Sequence, residues 1–307
     1  MRHAVILSSF VPSTTVAEAV GSYYLDIINK YFSDCKIYIG VNVGSSHKWR
    51  SMMEKSGLNI TICEVSERLS VNSDVAGFQA VLATLRSTRA AHDFYWFGHT
   101  KGATHERYSD AELLRDIIEQ NFWSRRDEID KYCDPARNGA FLPLPMLASG
   151  PALGVINYLK EVFPSVYPPV GAFPTYTFFG MTGVALRNFL ASAEDRFFSR
   201  NLLDEPGLSR YFFEGGFSWF ADMAGFKPYL VRAETISVNA QSMQSPCHPN
   251  EFALNRLKVA RCIDVWSSNP AKYNFTGWPL WAGEGIEYQE HIYEPSKFFE
   301  LQSAYAP

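Results

Sequence analysis

The sequence lacks an excess of either charge and lacks long unbroken apolar runs. Its 28 basic and 32 acidic residues leave a formal net charge of -4, which gives no electrostatic footprint for nucleic acid. The two long uncharged stretches, residues 138–159 and 162–186, are broken by prolines and glycines, so neither predicts a membrane-spanning helix. The apolar run at residues 4–7 is too short for a signal-peptide core. We therefore expect a cytoplasmic protein with no transmembrane segment, and association with a membrane surface through partners is left open.

Cysteine is also scarce. The chain has five cysteines, an odd number, and no C-x-x-C motif, which argues against a disulfide framework and against a structural zinc site. Cys35 and Cys63 lie in apolar, strand-like runs, so we expect buried and unreactive thiols there. Reduced cysteines agree with a cytoplasmic location.

Several nucleotide-binding and catalytic motifs are missing. The sequence contains no G-x-G-x-x-G motif, no Walker loop, no H-E-x-x-H motif and no G-x-S-x-G elbow. The sequence therefore contains none of the motifs that would best support a dinucleotide oxidoreductase, a nucleoside triphosphatase or a serine hydrolase.

The first third of the chain alternates apolar strand patterns with helix patterns. Strands are predicted near residues 3–10, 35–43, 58–65 and 93–97, and helices are predicted between them. The first helix starts at a capping-box pattern, Thr15 to Glu18, and the third covers residues 74–85. This order predicts a mostly parallel sheet with helices on both faces, in which ligands bind beyond the carboxyl ends of the strands.

The remainder of the chain is less regular. Helices are predicted from residue 109 towards Trp123 and at residues 184–193 and 213–224. Strands are predicted at residues 139–144, 175–180, 229–231 and 235–238, and residues 163–174 are predicted to be a loop. A length of 307 residues is near the upper limit for one hydrophobic core, so we expect a single domain. We divide it into a first half (1–105), a second half (106–262) and a C-terminal extension (263–307).

Polar residues cluster at two of the predicted loops. Asn72 and Asp74 stand at the start of a helix, where free backbone N–H groups favour an anion, and His99-Thr100-Lys101 follows the next strand. Together these loops suit a diphosphate whose charge is offset by Lys101. The alternative is that Asp74 caps the helix and that Lys101 is a solvated turn residue.

Residues 60–190 resemble the rhamnan synthesis protein F family, which are glycosyltransferase-like proteins of bacterial polysaccharide assembly. The resemblance is carried by Asn72, Asp74, Phe78 and the strand that ends in His99-Thr100-Lys101. It implies a role in the synthesis of polysaccharide.

Two further segments are a glycine-containing strand-turn-helix pattern at residues 179–187, and a predicted helix that Glu214 opens and that ends before Gly225-Phe226-Lys227 and the strand at residues 229–231. Both resemble GT-A-fold glycosyltransferases, which use nucleotide-sugar donors. This resemblance implies a nucleotide-binding half at residues 1–105, with contacts from Ser8 to the nucleotide. It also implies an acceptor half at residues 106–262, shaped around Gly180, with Glu214 as the catalytic base. The chain departs from the family at the fourth strand, where His99-Thr100-Lys101 replaces the metal-binding D-x-D. No cofactor is therefore predicted, and a requirement for Mn²⁺ or Mg²⁺ is left open.

The aromatic content is 15%, and aromatic residues are dense between residues 162 and 229. Tyr176 and Trp219 are candidates to stack on sugar rings of an acceptor, although a core role is the alternative for any one aromatic side chain. Glu214 is expected to take the proton of the acceptor hydroxyl while Lys101 stabilises the departing diphosphate.

The sequence therefore predicts an inverting glycosyltransferase with a nucleotide-sugar donor and a glycan or polysaccharide acceptor. A non-catalytic glycan-binding or scaffold protein with the same fold is the first alternative. A nucleotidyltransferase is the second, but it would need a pair of metal-binding carboxylates, and no convincing pair is present. The donor sugar, the linkage and the oligomeric state stay open.

Overall fold

The computed structural model describes residues 1–72, 74–104, 115, 118–119, 122–133, 138–143, 147–149, 172–174, 177–193, 195–199, 201, 227–234, 260–264, 273–276 and 290–293. All structural statements below refer to these residues.

The elements at the amino-terminal end follow the predicted alternation. They are β1 (His3–Ser9), α1 (Thr15–Phe32), β2 (Lys36–Val41), α2 (His47–Lys55), β3 (Ile60–Glu64), a 3₁₀ helix (Glu67–Asn72), α3 (Asp74–Thr88) and β4 (Phe94–His99).

The elements that follow are shorter. They are a 3₁₀ turn (Trp123–Arg125), α4 (Arg126–Tyr132), β5 (Asn138–Pro143), β6 (Leu147–Ser149), β7 (Ala172–Pro174), β8 (Phe179–Thr182), α5 (Gly183–Ser192), α6 (Asp195–Ser199), β9 (Lys227–Glu234), β10 (Ala260–Asp264), β11 (Tyr273–Thr276) and β12 (Glu290–Tyr293).

One eight-stranded sheet joins most of these strands, in the order β10-β9-β5-β8-β4-β1-β2-β3. Parallel pairing connects β1 to β2 and β4, β2 to β3, and β5 to β9. Strand β8 is antiparallel to both of its neighbours, β4 and β5, and β10 is antiparallel to β9. The predicted fold class, a GT-A-like α/β domain with a mostly parallel sheet, is confirmed in its main feature, the mostly parallel sheet. The predicted division into halves stays a prediction.

One face of the sheet is covered by α1, α2 and a group of aromatic side chains. The odd-numbered Val5 and Leu7 of β1 belong to this core, as do Phe94 and Trp96 of β4. The aromatic rings packed there with them are Phe32, Phe122, Trp123 and Phe178. Much of the described aromatic content therefore stabilises this core through ring packing and burial.

Helix α3 covers the opposite face and approaches β1 and β2 unusually closely. A Cβ atom on Gly40 would overlap the main chain of Gly77, and a Cβ atom on Gly77 would overlap the side chain of Ser8. The two glycines let the helix backbone rest directly on the sheet. This contact fixes where the first residue of α3, Asp74, lies relative to the ends of the strands.

Several predicted boundaries were wrong by a few residues. The N-cap of α1 is Thr14, whose hydroxyl accepts a hydrogen bond from the N–H of Ala17 at 3.1 Å, and Glu18 instead accepts one from Lys48 at 2.6 Å. Strand β4 extends to His99, which the sequence placed in a loop, because its pairing with β1 continues to Ser8.

The segment around β8 also differs from its prediction. Thr177 precedes the strand and has a φ of 58°, so β8 begins at Phe179 rather than at residue 175. Residues 172–174, predicted to be loop, pair with β6. The predicted helix at 213–224 and the predicted strand at 235–238 lie outside the described residues.

The three described cysteines, Cys35, Cys63 and Cys133, are buried free thiols. The expected burial of Cys35 is confirmed, and burial raises the pKa of this thiol to about 12. No helix in the described part of the chain has both the length and the apolar character needed to cross a membrane.

His3 is held as a neutral side chain at the amino end of the sheet. The indole N–H of Trp96 donates to His3 Nδ1 at 3.0 Å, so Nε2 carries the ring hydrogen and donates to Asp130 at 2.9 Å. Protonation would place a second hydrogen at Nδ1, against the indole N–H. Burial lowers the pKa of His3 from 6.5, and the hydrogen bond to Asp130 only partly opposes this.

We expect His3 to make the free energy of unfolding depend on pH. The unfolded chain binds the proton more readily than the folded one, so the free energy of unfolding should fall as the pH drops below the ordinary value of 6.5 towards the lowered pKa. Urea unfolding at several pH values should show a smaller slope in His3→Gln than in wild type. The matched control is His47→Gln, because His47 is exposed. An unchanged slope in His3→Gln would contradict the prediction.

Candidate functional site

Three of the predicted donor-binding residues meet at the carboxyl ends of β1 and β4. Ser8 and His99 are register partners on these neighbouring strands. The hydroxyl of Ser8 donates to the main-chain oxygen of Asp74 at 2.5 Å, and Nδ1 of His99 lies 2.9 Å from Asp74 Oδ2. Asp74 therefore touches both strands, through its carbonyl on one side and its carboxylate on the other.

Thr100 and Lys101 continue from β4 across the end of β1. The N–H of Thr100 donates to the carbonyl of Ser8 at 3.1 Å, and its hydroxyl accepts from the N–H of Phe10 at 3.1 Å. The N–H of Lys101 donates to the carbonyl of His99 at 2.7 Å, and Gly102 follows with a φ of 97°. Thr100 thus fixes the course of this turn and has a structural role.

The Asp74–His99 pair lies at the boundary between the interior and the solvent. The side chain of His99 is 8% exposed, whereas that of Asp74 is 41% exposed. His99 Nε2 is buried and has no hydrogen-bond partner among the described residues. Leaving a buried polar atom unsatisfied costs about 1–3 kcal/mol. The Asp74 carboxylate binds His99, so the alternative in which it serves only as a helix cap does not describe its contacts.

Tyr24 and Arg115 belong to the same cluster and were missed by the sequence reasoning. Tyr24 on α1 is fully buried, and burial raises the pKa of its phenol, with a smaller contribution from Asp74 and an opposing one from Arg115. The phenol also faces the main chain of Lys101. The spacing of residues 115, 118 and 122 is the signal that could have found Arg115, because it places Arg115 on the buried stripe with Ile118 and Phe122.

Arg115 is held in place by contacts with α1. Its guanidinium lies 4.7 Å from the ring centre of Tyr23, whose hydroxyl donates to the Arg115 carbonyl at 3.1 Å. One turn later, Glu119 accepts hydrogen bonds from Lys30 at 2.8 Å and from Tyr31 at 2.9 Å. These contacts fix a buried positive charge behind the carboxyl edge of the sheet.

A second unsatisfied group is near this edge. Asn42 follows β2, and its side chain is buried. In the part of the chain that the structure describes, neither its amide nitrogen nor its amide oxygen has a hydrogen-bond partner. Its N–H donates to the carbonyl of Ser9 at 2.9 Å, which sets it beside the end of β1. The sequence gave no reason to select this residue.

Of the remaining predicted site residues, the structure describes only Gly180 in full, and Gly180 is not part of this cluster. Gly180 lies inside β8, where it pairs with Trp96 and Phe141, and it is buried in the sheet. Asn72 ends the 3₁₀ helix, and its side chain is not described. The predictions for the catalytic base Glu214 and for the acceptor residues Tyr176 and Trp219 fall outside the described residues.

The residues at the end of β4 do not fit a divalent-metal site. His99-Thr100-Lys101 offers one imidazole, one hydroxyl and one ammonium, and an ammonium repels a cation. Among the described residues, no group of three or more His, Cys, Asp or Glu side chains is arranged to hold a metal. The reaction proposed below therefore assigns no role to a metal ion.

Comparisons with known proteins add a fold-level likeness only. No family model and no curated protein matches the chain, so the resemblance to rhamnan synthesis protein F is not supported by a family match. Among solved structures, the galactosyltransferase LgtC, in complex with donor and acceptor sugar analogs, matches at 10% identity and a TM-score of 0.38, covering 99% of this chain and 96% of its own.

Two further solved structures match more weakly. The enzyme 4-diphosphocytidyl-2C-methyl-D-erythritol synthase matches at 12% identity and a TM-score of 0.31, covering 83% of this chain and 98% of its own. Core-mannan synthase A from Aspergillus fumigatus, in a Mn/GDP form, matches at 8% identity and a TM-score of 0.28, covering 75% of this chain and 72% of its own. All three scores are low, so no activity is transferred from these proteins.

Proposed function

We propose that this protein is a glycosyltransferase that moves a sugar from a nucleotide-sugar donor to a glycan or polysaccharide acceptor. The observation that carries the proposal is the cluster of Asp74, His99 and Lys101 at the carboxyl ends of β1 and β4. In open α/β sheets this edge is where ligands bind. The cluster combines a helix N-terminus with cationic side chains, which suits the diphosphate of such a donor.

The roles follow from the charges that change during sugar transfer. The bond between the sugar and the diphosphate breaks, and the departing diphosphate gains negative charge. We assign to Lys101 and His99 the role of offsetting that charge, with the buried guanidinium of Arg115 as a further source of positive potential. The acceptor hydroxyl loses its proton to a carboxylate, which we assign to Glu214, as it forms the new bond on the opposite face of the sugar, with inversion.

The proposal is tested with a panel of nucleotide sugars, using thermal stability and release of nucleoside diphosphate as the two readouts. At least one donor should raise the midpoint of thermal unfolding, and the same donor should release nucleoside diphosphate when an acceptor glycan is present. Each assay is run with and without a chelator, which tests for dependence on Mn²⁺ or Mg²⁺. If no donor stabilises the protein, the proposed function is wrong.

Lys101→Ala should weaken binding of the stabilising donor by about tenfold or more, because it removes the ammonium group that we propose pairs with the negatively charged diphosphate. The matched control is Lys36→Ala, because Lys36 is bound to Asn59 at the amino end of β2. Donor affinity equal to wild type in Lys101→Ala would remove Lys101 from the site.

The second candidate is a glycan-binding or scaffold protein that retains the fold without catalysis. The replacement of D-x-D by His99-Thr100-Lys101 favours it. Binding of glycans without release of nucleoside diphosphate from any donor would support this candidate.

A further inference from the structure

Thr177 has a backbone conformation that its residue type disfavours. Its φ is 58°, in the left-handed region, and the residue is only 5% exposed. A β-branched side chain is disfavoured in that region because its Cβ substituents crowd the backbone, whereas Gly and Asn are tolerated there. Strain of this kind persists only where the surrounding structure imposes it, and it is concentrated at functional sites.

Arg89 is the other described residue, apart from glycine, that has a positive φ, and its conformation has an ordinary cause. It directly follows the last residue of α3 and is exposed, and helices commonly end in a left-handed residue. Thr177 instead precedes a strand. Residues 175–179 read Thr-Tyr-Thr-Phe-Phe, which are all types enriched in strands. The sequence therefore favours an extended chain at the point where the structure departs from it, and such conflicts are expected at functional or strained sites.

The departure occurs beside the candidate site. Strand β8 pairs with β4 as far as Phe97. The same register, carried two residues further, would place Thr177 opposite His99. The chain stays beside β4 up to Phe178, because a Cβ atom on Gly98 would lie 2.7 Å from the Phe178 ring. The backbone thus leaves the extended conformation at the residue that would otherwise face His99.

The main-chain groups of His99 are directed towards β8. The N–H of Thr100 donates to Ser8 on β1 at 3.1 Å, and successive residues of a strand direct their main-chain groups to opposite neighbours. In the structure the carbonyl of His99 accepts from the N–H of Lys101 at 2.7 Å. A β8 strand extended to Thr177 would bring the Thr177 N–H to the same carbonyl. The extended strand and the turn that carries Lys101 therefore compete for one acceptor.

We propose that Thr177 is a positioning residue whose left-handed conformation ends β8 before it reaches His99, which leaves the His99 carbonyl to the turn that presents Lys101 to a diphosphate. The inference rests on the proposed function, because the diphosphate is that of the donor. It concerns conformation and hydrogen bonding, and no covalent bond changes.

Two substitutions at position 177 shift this competition in opposite directions. Thr177→Asn favours the left-handed conformation, and Thr177→Val, which keeps the shape of the side chain, favours the strand. Amide hydrogen exchange of the free protein, followed by NMR, detects even rare opening of the turn. The Lys101 amide should exchange about threefold or more faster in Thr177→Val than in wild type, and more slowly in Thr177→Asn. The His99 amide should be better protected in Thr177→Val, because it gains an acceptor on β8.

Calorimetric titration with inorganic pyrophosphate, in a buffer that contains a chelator, measures the consequence for binding. The apparent affinity falls with the fraction of molecules that are in the binding-competent conformation. Thr177→Val should therefore bind pyrophosphate about threefold or more weakly than wild type, and Thr177→Asn should bind it at least as tightly. Thr177→Gly also permits the left-handed conformation and should keep the wild-type affinity.

The matched controls are Arg89→Asn and Arg89→Val, which change the same conformational preference at the end of α3. A purely structural role for Thr177 would alter only the midpoint of thermal unfolding, as we expect for the Arg89 pair. Only the variants at position 177 should change the exchange of the Lys101 amide and the affinity for pyrophosphate.

Equal exchange of the Lys101 amide in wild type, Thr177→Val and Thr177→Asn would overturn the inference, as would failure of pyrophosphate to bind the wild type. If Thr177→Val fails to fold, loss of pyrophosphate binding in both Thr177→Asn and Thr177→Gly would overturn it, and retained binding with slower Lys101 exchange in Thr177→Asn would support it. The proposed function is judged separately, by donor binding and release of nucleoside diphosphate. A donor that wild type and Thr177→Val bind and cleave equally well would leave the proposed function intact and remove only this role of Thr177.

Discussion

Gly40→Ala should lower the free energy of unfolding by about 1–3 kcal/mol, the usual range for overpacking a dense contact. The added methyl group would overlap the main chain of Gly77 in α3, and a backbone cannot turn aside as a flexible side chain can. The helix must therefore move away from the sheet. Urea unfolding measures the loss of stability.

The same substitution should also weaken binding of the stabilising donor, because Asp74, at the proposed diphosphate site, is the first residue of α3 and its 2.9 Å contact with His99 depends on the position of the helix. The control is Gly57→Ala. Gly57 has a φ of 73° and nothing within 4 Å of an added Cβ atom, so that variant loses stability through backbone strain alone. It should keep wild-type binding. A Gly40→Ala variant as stable as wild type would show that α3 does not rest on the sheet as described.

A double-mutant cycle tests the contact from the other side. A Cβ atom on Gly77 would overlap the side chain of Ser8, so Gly77→Ala should be destabilising, and adding Ser8→Gly should recover part of that loss. Additive losses would contradict the proposed overlap.

Glu214→Gln should lower the turnover number by about 10²–10⁴-fold, the usual contribution of a positioned general base. The amide keeps the size of the side chain but cannot accept the proton of the acceptor hydroxyl. Donor affinity should be unchanged, because the proposed diphosphate site is the cluster at the ends of β1 and β4 and does not include Glu214. Steady-state kinetics with the stabilising donor, combined with direct titration of that donor, separate the two effects.

The matched control for this variant is Asp222→Asn, which lies in the same predicted helix, residues 213–224. It should change turnover little. If Asp222→Asn produces the large loss instead, the base is Asp222, and if neither variant does, transfer does not use a carboxylate from this segment.

Local patterns predicted the strands and helices well where their periodicity is strong. The apolar run at β1, the alternation in β2 and the helical spacing in α3 each reflect the burial of one or both faces of an element, which sequence records directly. Boundaries were less accurate, since Thr14 and Thr15 are equally good caps by type, and the end of β4 at His99 depends on its pairing with Ser8. Pairing partners distant in sequence leave no local signal.

The residues of the candidate site also differ in whether a local pattern in the sequence could predict them. Asp74, His99 and Lys101 could be selected because polar residues at strand ends and helix starts are recognisable in a sequence. Arg115 could have been selected only by reading a charged residue as part of an apolar stripe. Asn42 could not have been selected, because its significance lies in hydrogen bonds that are missing in three dimensions.

The sequence by itself determined the alternation of strands and helices, the absence of the common nucleotide motifs and the polar residues at the ends of two strands, because these depend on the chemistry of neighbouring residues. Only the tertiary structure decided that the Asp74 carboxylate contacts His99, that Gly40 and Gly77 let α3 rest directly on the sheet, and that Nε2 of His99 is buried without a hydrogen-bond partner among the described residues. These properties arise where α3 packs across β1, β2 and β4, and packing between distant segments depends on shape that no single stretch of sequence contains.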